Sequence, residues 1–288
     1  MKLAAIINPL SRAVPKGASD ELKAAIAAAG HELVSLSSTS DDLEAKAHAA
    51  AESGADAIVV WGGDGTLACV LTICGADGPP VLTLPGGTMN MLPRRLHGEG
   101  SWHEVLDRVL ADPEERVIAA GDVDGHRFYV AALFGRLTGL AESREAVRKG
   151  QLLDAAQTMV DGDVLSVETR LSLHCGQAGN PDKARGPAIE AVAAAVALTE
   201  GPHAAFDVAS IDPSSALELI STAMDAMIRG WRGADAVERD VTSSVTVEDP
   251  DGLAIPSTLD GEQVQFETPV EVRLIERAAK VLCARTSH

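Results

Sequence analysis

Two glycine-rich turns, Gly62-Gly63-Asp64-Gly65-Thr66 and Pro85-Gly86-Gly87-Thr88-Met89-Asn90, each follow directly on a short apolar run. The first run, Ala57-Ile58-Val59-Val60-Trp61, is continuous in the way of a parallel strand covered on both faces, and Leu67 to Ile73 after the turn can begin a helix. The second run is Val81-Leu82-Thr83-Leu84. An Asp-Gly hairpin would need an antiparallel partner at once after Gly65, and none follows. Two successive strand-to-glycine turns instead fit the carboxyl edge of one parallel sheet, where α/β folds bind ligands. Glycine admits positive φ and carries no Cβ, so consecutive N–H groups can converge on a phosphate at a helix N-terminus. Thr66 adds a hydroxyl and Asp64 a carboxylate able to hold Mg²⁺. Neither turn matches the GxxxxGK[ST] or GxGxxG pattern, so both of those nucleotide-binding classes are excluded.

The remaining pattern predicts strand at residues 3 to 7, then a helix capped by Ser19 or Asp20 that runs through Ala29 and stops at Gly30. A strand at Glu32 to Leu36 and an alanine-rich helix from Asp41 to Ser53 follow. The order βαβαβ implies a parallel sheet with right-handed crossovers. Trp102 to Leu110 is an amphipathic helix, and the pattern changes over Arg116 to Ala120. Beyond it, Asp122 to Arg127 reads as a hairpin with Phe128 to Leu133 as its return strand. A boundary near Ala120 therefore divides a 1–120 α/β domain from a β-rich domain over 121–277. In the second domain the strand candidates are Val164 to Cys175, Ala188 to Leu198, Thr242 to Glu248, Leu253 to Leu259 and Val270 to Ile275. Leu140 to Val160 and Ser214 to Arg229 read as helical, while Ala191 to Ala197 satisfies helix and strand equally.

A net charge of −18 argues against nucleic acid as a partner. It also restricts contact with an anionic membrane to something local, transient or aided by a partner, since the basic segments are short: Arg94-Arg95, and Arg144 through Lys149. Met1 to Ile7 runs straight into Asn8-Pro9 and does not read as a signal peptide, and no apolar stretch reaches bilayer-spanning length. The expected location is the cytoplasm, at most peripheral to the inner face of the membrane. Cys69, Cys74, Cys175 and Cys283 lack paired zinc-site spacing and read as reduced thiols outside any metal cluster.

Asn8-Pro9, Gly62 to Thr66, Pro85 to Thr88 with Asn90, and Leu259-Asp260-Gly261-Glu262 occur in the order found in the diacylglycerol kinase catalytic-domain family of lipid kinases, which the chain resembles. That family includes sphingosine kinases and is distant kin of NAD kinases. The resemblance implies a Rossmann-like N-terminal domain to which 278–288 return, a C-terminal β-rich sandwich and an active site in the cleft between them. It further implies ATP and Mg²⁺ as cofactors. Asn8, Thr39, Gly62, Gly63, Asp64, Gly65, Thr66, Gly86, Gly87, Thr88 and Asn90 match its nucleotide-binding positions. Thr39 can alternatively cap the next helix, and Asn90 can brace its own turn.

By resemblance Glu262 is the general base that deprotonates the acceptor hydroxyl and Asp64 approaches the ATP-bound Mg²⁺; in isolation Asp260-Gly261-Glu262 is only a turn between strands. Asp260 shapes that turn or reaches a metal through water. Two departures stand out. Ser11 has lost the glycine expected beside it, and Ala195 to Gly201 and Phe206-Asp207-Val208 stand where the family's structural-metal segments would be. The implied activity is γ-phosphoryl transfer to a lipid hydroxyl of the diacylglycerol type. A soluble-metabolite kinase and a nucleotide-binding regulator without catalysis remain the alternatives, and a homodimer is left open.

Overall fold

The computed structural model describes residues 1–39, 41–135, 171–176, 193–198, 204–211 and 238–285, with backbone alone at 193–198, 209–211 and 238–240. Two compact units emerge, one of Met1–Ala120 with the segment from Glu276 onward and one of Gly121–Ile275.

In the first unit, β1 (Lys2–Ile7), β3 (Ala57–Gly62) and β4 (Val81–Pro85) are parallel and almost wholly buried, which is why their sequences are apolar without alternation. With β2 (Glu32–Ser38) and the end of β15 (Val270–Ala284) the sheet order is β2-β1-β3-β4-β15. One face packs on α1 (Ala18–Ala28) and α5 (Trp102–Ala111): Leu22 and Ile26 from α1 and Leu106 and Val109 from α5 meet Leu3, Val59 and Leu82 in a single buried cluster. On the other side α2 (Leu43–Ala51) and α3 (Asp64–Cys74) lie against β1 and β3 and against each other. The start of α5 is a capping box. Ser101 Oγ accepts from the Glu104 N–H at 3.3 Å, and Glu104 Oε2 accepts from the Ser101 N–H at 2.7 Å. This holds the Glu104 carboxyl below its usual range.

The chain order in this sheet reverses between β1 and β3. In doubly wound sheets a reversal of this kind marks the ligand crevice, outside the carboxyl ends of the flanking strands.

Several element bounds differ from those read in the sequence. Helix α1 begins at Ala18 after Gly17, whose φ of 94° turns the chain, so neither Ser19 nor Asp20 is its cap. Helix α2 is shorter than Asp41 to Ser53 because its cap, Asp42, is left-handed with φ 54° and offers no side-chain bond. The seven-residue α4 (Met91–His97) was not anticipated, since a short helix with Pro93 in its first turn leaves no apolar period to detect.

The second unit is built from antiparallel strands. β7 (Ala131–Gly135), β9 (Ala193–Leu198), β10 (Phe206–Ile211), β11 (Glu238–Thr242), β13 (Ile255–Leu259) and β14 (Glu262–Phe266) form one sheet in the order β11-β10-β9-β7-β13-β14. β8 (Ser172–Gly176) and β12 (Ser244–Glu248) pair beside the start of β15. Phe128 stacks on Phe206 with ring centroids 6.1 Å apart, joining the short β6 (His126–Phe128) to the six-stranded sheet.

Residues 193–198 are strand, which resolves the alanine-rich ambiguity: a ladder partner on each side outweighs helix propensity. The Asp122 to Arg127 hairpin also needs correction. It turns at Asp124-Gly125 and returns only through Phe128, after which the chain leaves for the other sheet as β7 instead of continuing as one strand. Its first arm, β5 (Pro113–Val123), is far longer than anticipated. The helices expected at Leu140 to Val160 and Ser214 to Arg229 lie outside the described residues.

Candidate active site

The loops that leave β1, β3 and β4 meet at the carboxyl edge of the first unit's sheet. Parallel register sets Gly62 beside Pro85, and the Gly86 N–H donates to Gly62 C=O at 2.9 Å. From the other side, Asn8 Nδ2 donates to Thr66 Oγ1 at 2.8 Å, bridging the end of β1 to the first turn of α3 across the crevice. The Gly63 N–H donates to Ser11 Oγ at 2.9 Å, and the Ala13 N–H donates to Gly86 C=O at 2.9 Å. The Trp61 indole N–H donates to Pro85 C=O at 3.2 Å. Three loops thus form one hydrogen-bonded layer. The bond to Ser11 had no sequence signal beyond the serine itself.

None of Gly62, Gly63, Gly65, Gly86 and Gly87 has a positive φ, contrary to the reason first given for their presence. Close approach requires most of them instead. A Cβ on Gly62 would lie 2.8 Å from the Thr66 side chain, one on Gly86 2.8 Å from Val14 Cγ2 and 2.9 Å from Gly62 O, and one on Gly87 2.9 Å from Gly63 Cα. The two turns touch backbone to backbone, which only glycine permits.

Their amides are also largely committed, so the picture of consecutive free N–H groups needs revision. Gly63 donates to Ser11, Gly86 to Gly62, and Gly87 to Asn90 Oδ1 at 2.8 Å. The open donors belong to α3. Its N-cap, Gly63, supplies no side-chain cap, leaving the first-turn amides of Gly65 and Thr66 without an intrahelical acceptor. The macrodipole adds partial positive charge at that end. Thr66 Oγ1 already accepts from Asn8, so its own hydrogen is available to donate.

Asp64, the first residue of α3, faces the start of α4. Its Oδ1 accepts from the Leu92 N–H at 3.1 Å. Burial pushes its carboxyl above the usual range, against the backbone amides of Leu92, Met91, Asn90 and Asp64 itself, which pull it down. Asn90 has φ 51° and closes on Gly87, accepting from its N–H and donating Nδ2 to its C=O at 3.2 Å, so it braces the turn. Thr88 lies between these two residues in the same turn. Thr39 ends the β1–β2 ladder, its N–H donating to Ile7 C=O at 2.9 Å. Its hydroxyl accepts from the Asp41 N–H at 3.1 Å and donates to Asp41 C=O, and it does not cap α2.

Glu262 belongs to the second unit. It opens β14 opposite Leu259, across a tight turn in which Asp260 and Gly261 both have positive φ, 45° and 86°. Its side chain is exposed. Asp260 is buried. Its Oδ2 accepts from the Tyr129 N–H at 2.5 Å, and Oδ1 accepts from the N–H groups of Val130 and Ala131 at 2.9 Å each. Among the described residues no group of three or more His, Cys, Asp or Glu could hold a metal ion, and no helix is long and apolar enough to cross a membrane.

Residues 2–122 match the diacylglycerol kinase catalytic domain. The matched span contains Asn8, Thr39, both glycine turns and Asn90; Glu262 lies beyond it. The chain is similar to a solved diacylglycerol kinase structure from Bacillus anthracis str. Sterne, at 16% identity with a TM-score of 0.65, covering 97% of this chain and 96% of the other. Two further structures from that organism, to which the same name is attached provisionally, give a TM-score of 0.68 at 16% and 17% identity with the same coverage. At such identities the likeness speaks for the fold, which is the mixed α/β fold with a β-rich second part described above.

Proposed function

We propose that this chain is a kinase that transfers the γ-phosphoryl group of ATP to a hydroxyl of a diacylglycerol-like lipid, with Mg²⁺ as cofactor. The observation that carries the reading is the locking of three loops around the uncapped N-terminus of α3 at the β1/β3 reversal. Phosphoryl transfer needs positioning and charge stabilisation more than covalent chemistry. Here the α3 amides and the Thr66 hydroxyl meet phosphate oxygens, and the absence of a Cβ at Gly63 and Gly87 keeps the approach open. Asn8 and Asn90 fix the loops, Thr88 offers its hydroxyl to the nucleotide from the second turn, and Thr39 borders the crevice on the β2 side.

The residues fit a nucleotide-borne Mg²⁺. That ion binds through one or two carboxylates plus substrate phosphates, keeps water, and needs no all-protein cage; Asp64 is the carboxylate in this turn. When bound, Mg²⁺ neutralises charge on the phosphates.

Glu262 takes the proton of the acceptor hydroxyl as its oxygen bonds to the γ-phosphorus and the bond to the β-phosphate bridging oxygen breaks, releasing ADP. Its exposure leaves it accessible to substrate. The net charge of −18 favours a second reading in which the acceptor is a soluble hydroxyl compound. On the first reading, membrane contact is brief and peripheral.

The test is transfer of labelled γ-phosphate from Mg·ATP into total lipid extract and into soluble metabolites, beside Glu262→Gln. Label in a lipid, lost in the variant while ATP still binds, is the expected result. Label only in a soluble product replaces the lipid acceptor. ATP binding with no acceptor-dependent label anywhere removes the kinase reading.

A further inference from the structure

Asp260 occupies an arrangement that a turn residue does not require. An Asn or Asp at positive φ suffices to start a two-residue hairpin of this kind. Here the carboxylate is also buried and gathers three successive backbone N–H groups, those of Tyr129, Val130 and Ala131, while its own N–H donates to Ala131 C=O at 2.9 Å. Those residues link β6 to β7, where the chain passes from one sheet of the second unit to the other. Tyr129 and Val130 are buried as well, so the carboxylate ties the hairpin to a fixed point of the core.

Two residues on, Glu262 pairs with Leu259, and among the described strands β14 lies at the sheet edge and pairs with β13 alone. An edge hairpin with one neighbour can rock or slip in register, and a one-residue slip turns every side chain to the opposite face. The clamp removes that freedom at the first residue of the turn.

We propose that Asp260 is a positioning residue, which through its three-amide clamp fixes the Gly261 turn and thereby the place of the Glu262 carboxylate. This rests on the reading of Glu262 as the general base. Charge-assisted bonds from amide to carboxylate are roughly twice as strong as neutral ones, which is the reason for a carboxylate here in place of Asn.

The test compares Asp260→Gly, Asp260→Asn and Glu262→Gln in the full chain. Glycine accepts the positive φ, so Asp260→Gly keeps the turn and deletes the carboxylate that makes the clamp. Asn keeps the turn and one acceptor oxygen. With a short-chain diacylglycerol in detergent micelles as acceptor, Asp260→Gly is expected to lower kcat roughly 10- to 100-fold at unchanged KM for ATP, as a misplaced catalytic group does. Asp260→Asn should fall between it and wild type. Added formate should restore part of the Asp260→Gly rate by occupying the vacated amides. Amide hydrogen exchange gives a readout independent of the acceptor: Tyr129, Val130, Ala131 and Glu262 should all exchange faster in Asp260→Gly.

Unchanged exchange at Glu262, or wild-type kcat in Asp260→Gly beside an inactive Glu262→Gln, overturns the positioning role and leaves the base assignment standing. An active Glu262→Gln removes the base assignment itself, and the proposal with it.

Discussion

Asp64 carries two demands at once. Its Oδ1 takes the Leu92 N–H and so caps α4, while the glycine turn around it is where phosphate and a nucleotide-borne Mg²⁺ are proposed to lie. The two demands separate by substitution. Asn retains an oxygen for the Leu92 amide, so Asp64→Asn should lose under about 1 kcal/mol of stability, whereas Asp64→Ala should lose about 1–2 kcal/mol, the usual cost of a missing cap. Phosphoryl transfer should fall on the order of 100-fold in both, since each lacks the charge. Thermal denaturation beside a Mg²⁺ titration of the rate distinguishes the contributions. An Asn variant as active as wild type would leave Asp64 with its cap alone. The composition of the two turns was legible in the sequence, but the reason for it was not: contact between Gly87 and Gly63 arises from the register of β3 on β4, which no local pattern encodes.

At the scale of the element, α4 is the piece the sequence concealed and the piece that connects the second glycine turn to the fold. Its first residues receive Asp64. Its last, His97, has Nε2 3.1 Å from the buried Thr83 hydroxyl on β4, and its carbonyl accepts from Arg108 Nη2 of α5 at 2.6 Å. Burial above all, then the charges of Arg108 and Arg116, lowers the His97 pKa to about 4, with the Thr83 contact opposing. Folded protein therefore holds the ring neutral where the unfolded chain, titrating near the ordinary value of 6.5, already binds a proton.

Stability should accordingly be full above pH 6.5 and decline as the pH falls from about 6.5 towards about 4. The expected loss is about 2 kcal/mol, below the full 1.36 kcal/mol per unit because the ring keeps some solvent contact. Chemical denaturation of wild type and His97→Gln across this range checks it. The difference between them should shrink or reverse on acidification, and parallel curves would exclude His97 as the source. The flanking elements β4 and α5 were readable, the first from its unbroken apolar run and the second from its apolar period. Seven residues containing Pro93, Arg94 and Arg95 gave α4 no such signature.

For the molecule as a whole, alternation of strand and helix made the first unit's parallel sheet readable, because crossover handedness leaves few orders for βαβαβ. The second unit was harder to read. Its short strands pair across long separations, and the Asp260 clamp joins residues about 130 positions apart with no local trace. The same division shapes how the protein should respond to nucleotide. Asn8, Thr39, both glycine turns and Asn90 fall in the unit that contains Met1–Ala120, whereas Glu262 falls in the other. If ATP binds where the loops converge, Mg·ATP at 100 times its dissociation constant should stabilise the unit that holds it by about 2.7 kcal/mol. In a Trp231→Phe background, which removes the tryptophan of the other unit, Trp61, buried and bonded to Pro85 C=O beside the turns, together with Trp102 at 4.2 Å between ring centroids, provides an intrinsic fluorescence report from that unit. The thermal transition they follow should rise with Mg·ATP in wild type and equally in Glu262→Gln, because that substitution removes a base and no nucleotide contact. In Gly87→Ala the rise should disappear, since the added Cβ drives the second turn off Gly63. A rise that vanishes in Glu262→Gln would mean that the nucleotide requires this carboxylate to bind, and the division of labour between the two motifs would then have to be redrawn.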